Sequence, residues 1–217
     1  MGSMTFLYTR SWPIHRQALA RKWKFFLESP SNGARKNQAA ILLSSMHYKI
    51  SVLVFIRNEA GEFLMIQRKK APNKGLWSPI GGKLEMDSGE SPHECAVRET
   101  FEEVGLKIDS SQLHLFCMIA EKAYEGSNHW LMFLFDCRTP IAKLPDTIDE
   151  GRFAFFSREA IETLPIPETD REGLWAIYNK HRHGFVSARA NCAPGQEIEI
   201  IIEQSVKAAQ DDHPNTA

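Results

Sequence analysis

The chain has no long hydrophobic run. Its most apolar stretch, Trp130-Leu131-Met132-Phe133-Leu134-Phe135, is six residues long, the length of a strand and far short of the ~20 residues that cross a bilayer. No charged leader, apolar stretch and small-residue cleavage site occur together, so no secretory signal is read. Cysteine is sparse: Cys95, Cys117, Cys137 and Cys192 lie far apart. That scatter fits neither a zinc site nor a disulfide framework, and the chain reads as reduced and cytoplasmic. No internal repeat is present. Acid is nearly missing from the first 46 residues, where seven Lys and Arg face Glu28 alone. Of 26 basic and 27 acidic residues overall, this leaves 19 and 26 in residues 47–217, a net of −7. A body of that sign argues against a nucleic-acid face and suits a site that gathers divalent cations.

Regular patterning begins near Met46. Lys49 to Arg57 and Glu62 to Arg68 are β-branched and apolar, with Asn58-Glu59-Ala60-Gly61 as a turn between them. Further strands are expected at His114 to Ala120, Trp130 to Cys137 and Arg152 to Phe156, and helices at Ser157 to Leu164 and Thr169 to His181. Residues 184–203 alternate well enough for a C-terminal hairpin. This order predicts an α/β class, with helices packed on a mixed sheet. Residues 1–45 are set apart as a basic extension. Leu19, Trp23, Phe26 and Leu27 share a helical stripe there, and the composition resembles a transit peptide. The reading preferred is that Met46 begins the domain and that 1–45 is an upstream extension that is non-native or disordered.

The chemistry concentrates between Gly81 and Leu106. Ser91 and Glu94 form a capping box, Pro92 occupies the first helical position, and Gly105 stands where a left-handed C-cap is needed. A helix over 92–104 follows. At ~100° per residue, Glu99, Glu102 and Glu103 share one arc, and Val97, Phe101 and Val104 are expected on the opposite, core-facing side. Arg98 lies one turn from both Glu94 and Glu102. A solvated face is the ordinary reading of paired glutamates, but three like charges in one arc repel, and a cation removes that cost. Oxygen-only ligands point to Mg²⁺, or Mn²⁺, and Mg²⁺ shares its sphere with substrate phosphates. The Gly81-Gly82 pair, lacking Cβ atoms, lets backbone approach metal or phosphate, and a carbonyl there can act as a ligand.

These residues resemble the Nudix box, Gly-x5-Glu-x7-Arg-Glu-U-x-Glu-Glu-x-Gly-U, with Glu90, Arg98, Glu99, Glu102, Glu103, Gly105 and Leu106 in register. Two departures stand out. Seven residues separate Gly82 from Glu90 where the pattern has five, and Thr100 replaces a bulky aliphatic residue. The resemblance implies an α/β/α sandwich and a Mg²⁺-dependent pyrophosphohydrolase cleaving a nucleoside diphosphate linked to another moiety. It implies Glu99, Glu102, Glu103 and the Gly81 carbonyl as metal ligands. Arg98 would orient a ligand carboxylate, Glu90 would support the loop, and Gly82 and Lys83 would meet substrate. The general base is either a box glutamate or a loop carboxylate, for which Glu150 is the candidate against the plainer reading of Asp149-Glu150 as a solvated turn. No proline lies between Lys107 and Thr139, while Tyr124 sits near a position that resembles a marker of dinucleoside polyphosphate enzymes. Trp77, Trp130 and Phe153 are expected in the core rather than stacked on a base. A MutT-type sanitiser of oxidised nucleoside triphosphates is an alternative, and a nucleotide-sensing module of the same fold is the non-enzymatic one. No membrane or nucleic-acid partner is expected, and a homodimer is compatible with the chain.

Overall fold

A computed structural model describes residues 48–124 and 128–208; the expected basic extension, residues 1–45, lies outside the described residues. The strands are β1 (Tyr48–Phe55), β2 (Phe63–Arg68), β3 (Trp77–Ser78), β4 (Leu113–Tyr124), β5 (Asn128–Cys137), β6 (Gly151–Phe156), β7 (Phe185–Asn191) and β8 (Glu199–Val206). The helices are α1 (Pro92–Val104), α2 (Arg158–Ile161) and α3 (Trp175–His181), with a π-helical turn at Asp170–Leu174. A five-stranded mixed sheet has the order β1-β5-β4-β7-β8, and β3-β2-β6 form a three-stranded antiparallel sheet.

β1 is buried on both faces along much of its length, which explains its continuous rather than alternating apolar pattern. On one face Val52, Val54 and Phe135 pack with Cys95 and Ala96 of α1. On the other, Phe55, Phe116 and Leu134 meet Trp175, Ile177 and Tyr178. Helices on both faces of a mixed sheet are the layering expected. Phe55 stacks on Tyr178 at 4.8 Å, and the Tyr178 hydroxyl donates to Asp136 Oδ1 at 2.6 Å. With Arg57 also at 3.1 Å, buried Asp136 is well supplied with partners.

Three expectations are corrected. The helix expected from Thr169 to His181 is a π-helical turn followed by a short α-helix. Gly173 lies so close to Ile200 of β8 that a Cβ would meet its side chain, and the widened turn accommodates that approach. α2 stops at Ile161, short of Leu164, since Pro165 ends the helical path just beyond it. α1 is turned relative to its expected phase: Cys95, Ala96 and Thr100 are its buried residues, Val97 and Val104 pack against the core as expected, and Phe101 is 51% exposed. Thr100 is fully buried, and its hydroxyl donates to the Ala96 carbonyl at 2.6 Å. The carboxylate stripe is therefore adjacent to the core stripe and not opposed to it.

Candidate functional site

The free edge of β1 positions the glycine pair. Val52 N–H donates to the Gly82 carbonyl at 2.9 Å and Val54 N–H to the Ile80 carbonyl at 2.8 Å, so residues 80–83 run along β1 like a short extra strand. Gly81 has φ +143°, and a Cβ there would meet the Val52 carbonyl; a Cβ on Gly82 would meet the Glu99 carboxylate. Both glycines are thus required by close approach. The Gly81 N–H donates to Glu103 Oε2 at 3.2 Å. Its carbonyl accepts no hydrogen bond among the described residues, which leaves that oxygen available to a ligand.

α1 starts and stops where its signals stand. Glu94 N–H donates to the Ser91 hydroxyl, Ser91 N–H donates to the Glu94 carboxylate, and Gly105 closes the helix at φ 70°. Arg98 then gathers the acids. Its Nε and Nη2 donate to the two Glu90 oxygens at 2.8 and 3.1 Å, and Nη1 donates to Glu99 at 2.8 Å and to Glu102 at 3.0 Å. Nη2 also donates to the Lys83 carbonyl at 3.1 Å. Glu90 in turn accepts from Glu85 N–H at 2.8 Å. The longer loop holds a 3₁₀ turn at Met86–Ser88, with Met86 64% exposed. Before it, Gly82 and Lys83 are held in register on Val52 and Ser51 of β1.

Electrostatics divide these acids. Hydrogen bonds from Arg98 hold Glu90 below the usual carboxylate range. Burial raises Glu99 despite Arg98 beside it. Burial also pushes Glu103 up to about 7, opposed by the Gly81 N–H and reinforced by the charge of Glu99. The Glu102 side chain is 57% exposed. Among the described residues, no three acid, His or Cys side chains already converge as a metal cage: Arg98 draws Glu99 and Glu102 to itself, and Glu103 turns to Gly81. The donor set nevertheless fits a hard cation. It offers carboxylate oxygens and one unbonded carbonyl, two of the carboxylates bearing a desolvation cost that a divalent charge offsets.

Gly81, Gly82, Arg98, Glu99 and Glu103 line a cleft of about 490 Å³, with Lys83, Tyr124 and Glu150 also on its wall. Tyr124 donates its hydroxyl to Asn73 Oδ1 at 2.6 Å across that wall. Glu150 is half exposed, 3.7 Å from Lys70, and its charge helps raise Glu103. Trp77 packs edge-on against Phe156 at 4.9 Å and Phe153 is buried, both in the core as expected. Trp130 is buried as well, but it also borders the cleft, with Lys49 Nζ 5.3 Å from its ring centre.

Sequence reasoning missed Arg68, Glu121, Thr169 and Asp170, which also line the cleft. A signal existed for Glu121: it follows Ile119 by two residues in β4, so a charged residue occupies a core-phase position. Asp170 resembles an ordinary acid at a helix start and carries no such signal.

The NUDIX domain model matches residues 47–176. The chain belongs to the Nudix family. Its Nudix match ends within α3, so the β7–β8 hairpin lies beyond it. The uncharacterized Nudix hydrolase YvcI of Bacillus subtilis is 31% identical over 108 residues, 49% of this chain and 65% of YvcI. Dihydroneopterin triphosphate diphosphatase of Haemophilus influenzae is 35% identical over 83 residues, 38% of this chain and 50% of that enzyme. The chain thus spans less than two thirds of either relative. The crystal structure of the MutT protein from Bacillus halodurans superposes with a TM-score of 0.58 at 19% identity, over 71% of this chain and 97% of that one, a likeness of fold. Among the described residues no helix is long and apolar enough to cross a membrane.

Proposed function

We propose that this Nudix chain is a Mg²⁺-dependent pyrophosphohydrolase that cleaves a nucleoside diphosphate linked to another moiety. The observation that carries the reading is that Glu99 and Glu103 line one end of a ligand-sized cleft with Gly81, while Arg98 binds Glu102 together with Glu99. Glu99, Glu102, Glu103 and the Gly81 carbonyl would hold Mg²⁺ or Mn²⁺. When bound, the cation supplies charge to the phosphoryl oxygens and lowers the pKa of a water. The protein's share is positioning. Arg98 fixes the carboxylates and, through the Lys83 carbonyl, the strand that carries the glycines. Lys83 and Arg68 offer cationic side chains to a polyphosphate along the cleft wall.

For the general base, Glu103 is favoured over Glu150. Glu103 lines the cleft and accepts from the Gly81 N–H, whereas half-exposed Glu150 is engaged with Lys70. Among anhydrides a triphosphate is favoured by the likeness to dihydroneopterin triphosphate diphosphatase, a choice that includes MutT-type triphosphates. The test is a hydrolysis panel of nucleoside triphosphates, nucleotide sugars, ADP-ribose and dinucleoside polyphosphates, with Mg²⁺ and with chelator. Mg²⁺-dependent cleavage of at least one class is expected. Binding without cleavage anywhere on the panel would leave the sensor reading in its place.

A further inference from the structure

Glu121 and Asp170 line the same cleft, yet the proposed hydrolysis makes no use of them. They come from separate elements, Glu121 from β4 and Asp170 from the π-helical turn, and are 2% and 5% exposed. Glu121 Oε1 is buried with no hydrogen-bond partner. Thr169 is the hydrogen-bonding neighbour of both carboxyls, and the other charge acting on Asp170 is Glu121 itself. No cation answers either acid among the described residues. A buried acceptor left empty carries a full desolvation cost, which a donor from a ligand relieves.

Strand register places this pair relative to the glutamate helix. Glu121 lies opposite Trp130, and Trp130 opposite Lys49. The next inward-facing residue of β1, Ser51, bridges to Lys83 beside the glycine pair. Three strand spacings of about 4.8 Å put Glu121 roughly 14 Å from that pair. With phosphates at the glutamate end, the floor between belongs to the organic part of the substrate, walled by Trp130 and Met132. A flat aromatic wall suits a planar ring.

We propose that Glu121 and Asp170 read the heterocycle of the substrate, accepting from a ring N–H and the exocyclic NH₂ beside it. Ionised carboxylates only accept, and a pair that retains one proton adds a single donor. An edge with two adjacent donors and a neighbouring carbonyl, as in a 2-amino-lactam ring, matches that set. An edge with a ring acceptor, as in a 6-aminopurine, matches it less well. Burial favours retention of the proton: both acids are raised, Glu121 to about 7. The inference rests on the hydrolase reading only for which end of the cleft takes the phosphates.

The test is calorimetric binding of GMP, IMP and AMP to the full chain at neutral pH, since none of the three contains the anhydride to be cleaved. GMP is expected to bind roughly tenfold or more tightly than IMP, which lacks the amino group, and than AMP, which lacks the ring N–H. Of Glu121→Gln and Asp170→Asn, the one that removes the acceptor of the amino group should bring the GMP-to-IMP ratio close to one, and the other should weaken both ligands through the ring N–H that they share. Equal affinities, a preference for AMP, or no binding of any of the three overturns the inference, and the wild-type comparison stands even where a variant fails to fold. A GMP preference in a protein that hydrolyses nothing on the panel would keep this reading and remove the hydrolase, whereas hydrolysis without the preference would do the reverse.

Discussion

Two groups of acids stand at or beside one cleft, and the fold treats them oppositely. Glu99 and Glu102 of α1, and Glu90 just before it, all bond to Arg98, and Glu102 is open to solvent. Across the sheet, Glu121 and Asp170 are buried, have no cation, and include an oxygen with no partner. The first group is a charged set held ready by an exchangeable counter-charge. The second is pushed toward its neutral form by burial and holds an acceptor without a donor. Charge compensation therefore separates a region suited to metal and phosphate from one suited to a neutral polar edge.

The largest expected effect lies on α1. Glu102→Gln should lower kcat by about 10²–10⁴-fold while thermal unfolding stays where it was, because its exposed side chain supports no core contact. A wild-type rate in that variant would erase the functional contrast between the two regions. Next is Arg98→Ala, which leaves half-buried Glu90 and Glu99 without their guanidinium. A stability loss of about 1–3 kcal/mol by denaturant unfolding is expected, and added Mg²⁺ should recover part of it by supplying charge to Glu99. Recovery of nothing would mean that Arg98 and the cation do not share a role.

The smallest effect belongs to the buried pair. Glu121 titrates near 7 in the folded chain against an ordinary 4.5, because of burial. The folded state therefore holds this proton longer than the unfolded chain does, and stability from this group is present at low pH and lost as pH rises from about 4.5 to 7. Asp170, raised for the same reason and by the charge of Glu121, acts in the same direction. Glu121→Gln keeps a neutral side chain at every pH and should flatten the decline. Urea unfolding at a series of pH values measures it, and an unchanged slope would show that the pair is not the cause.

How much of this was legible in the sequence follows the range of the interactions. α1 begins and ends as expected because Ser91, Pro92, Glu94 and Gly105 act within one turn of the helix ends. The glutamates cluster as expected because helical periodicity alone sets their spacing. The phase of the helix on the sheet was not legible: Phe101 looked like core but faces out, since packing against β1 and β5 sets the rotation. The Glu121–Asp170 pair depends on the register of β4 against β7 and on a π-helical turn packed on Ile200 of β8, contacts made across more than 25 residues of chain. Neither is encoded locally.

The central claim is that the Glu99–Glu102–Glu103 face is a divalent-cation site. Titrating Mn²⁺ into the full chain and following the loss of its free-ion electron paramagnetic resonance signal tests it directly. Saturable binding in the wild type, strongly weakened in Glu99→Gln and Glu102→Gln but retained in Glu121→Gln, is the predicted result. No binding in the wild type, or binding that only Glu121→Gln abolishes, would contradict it.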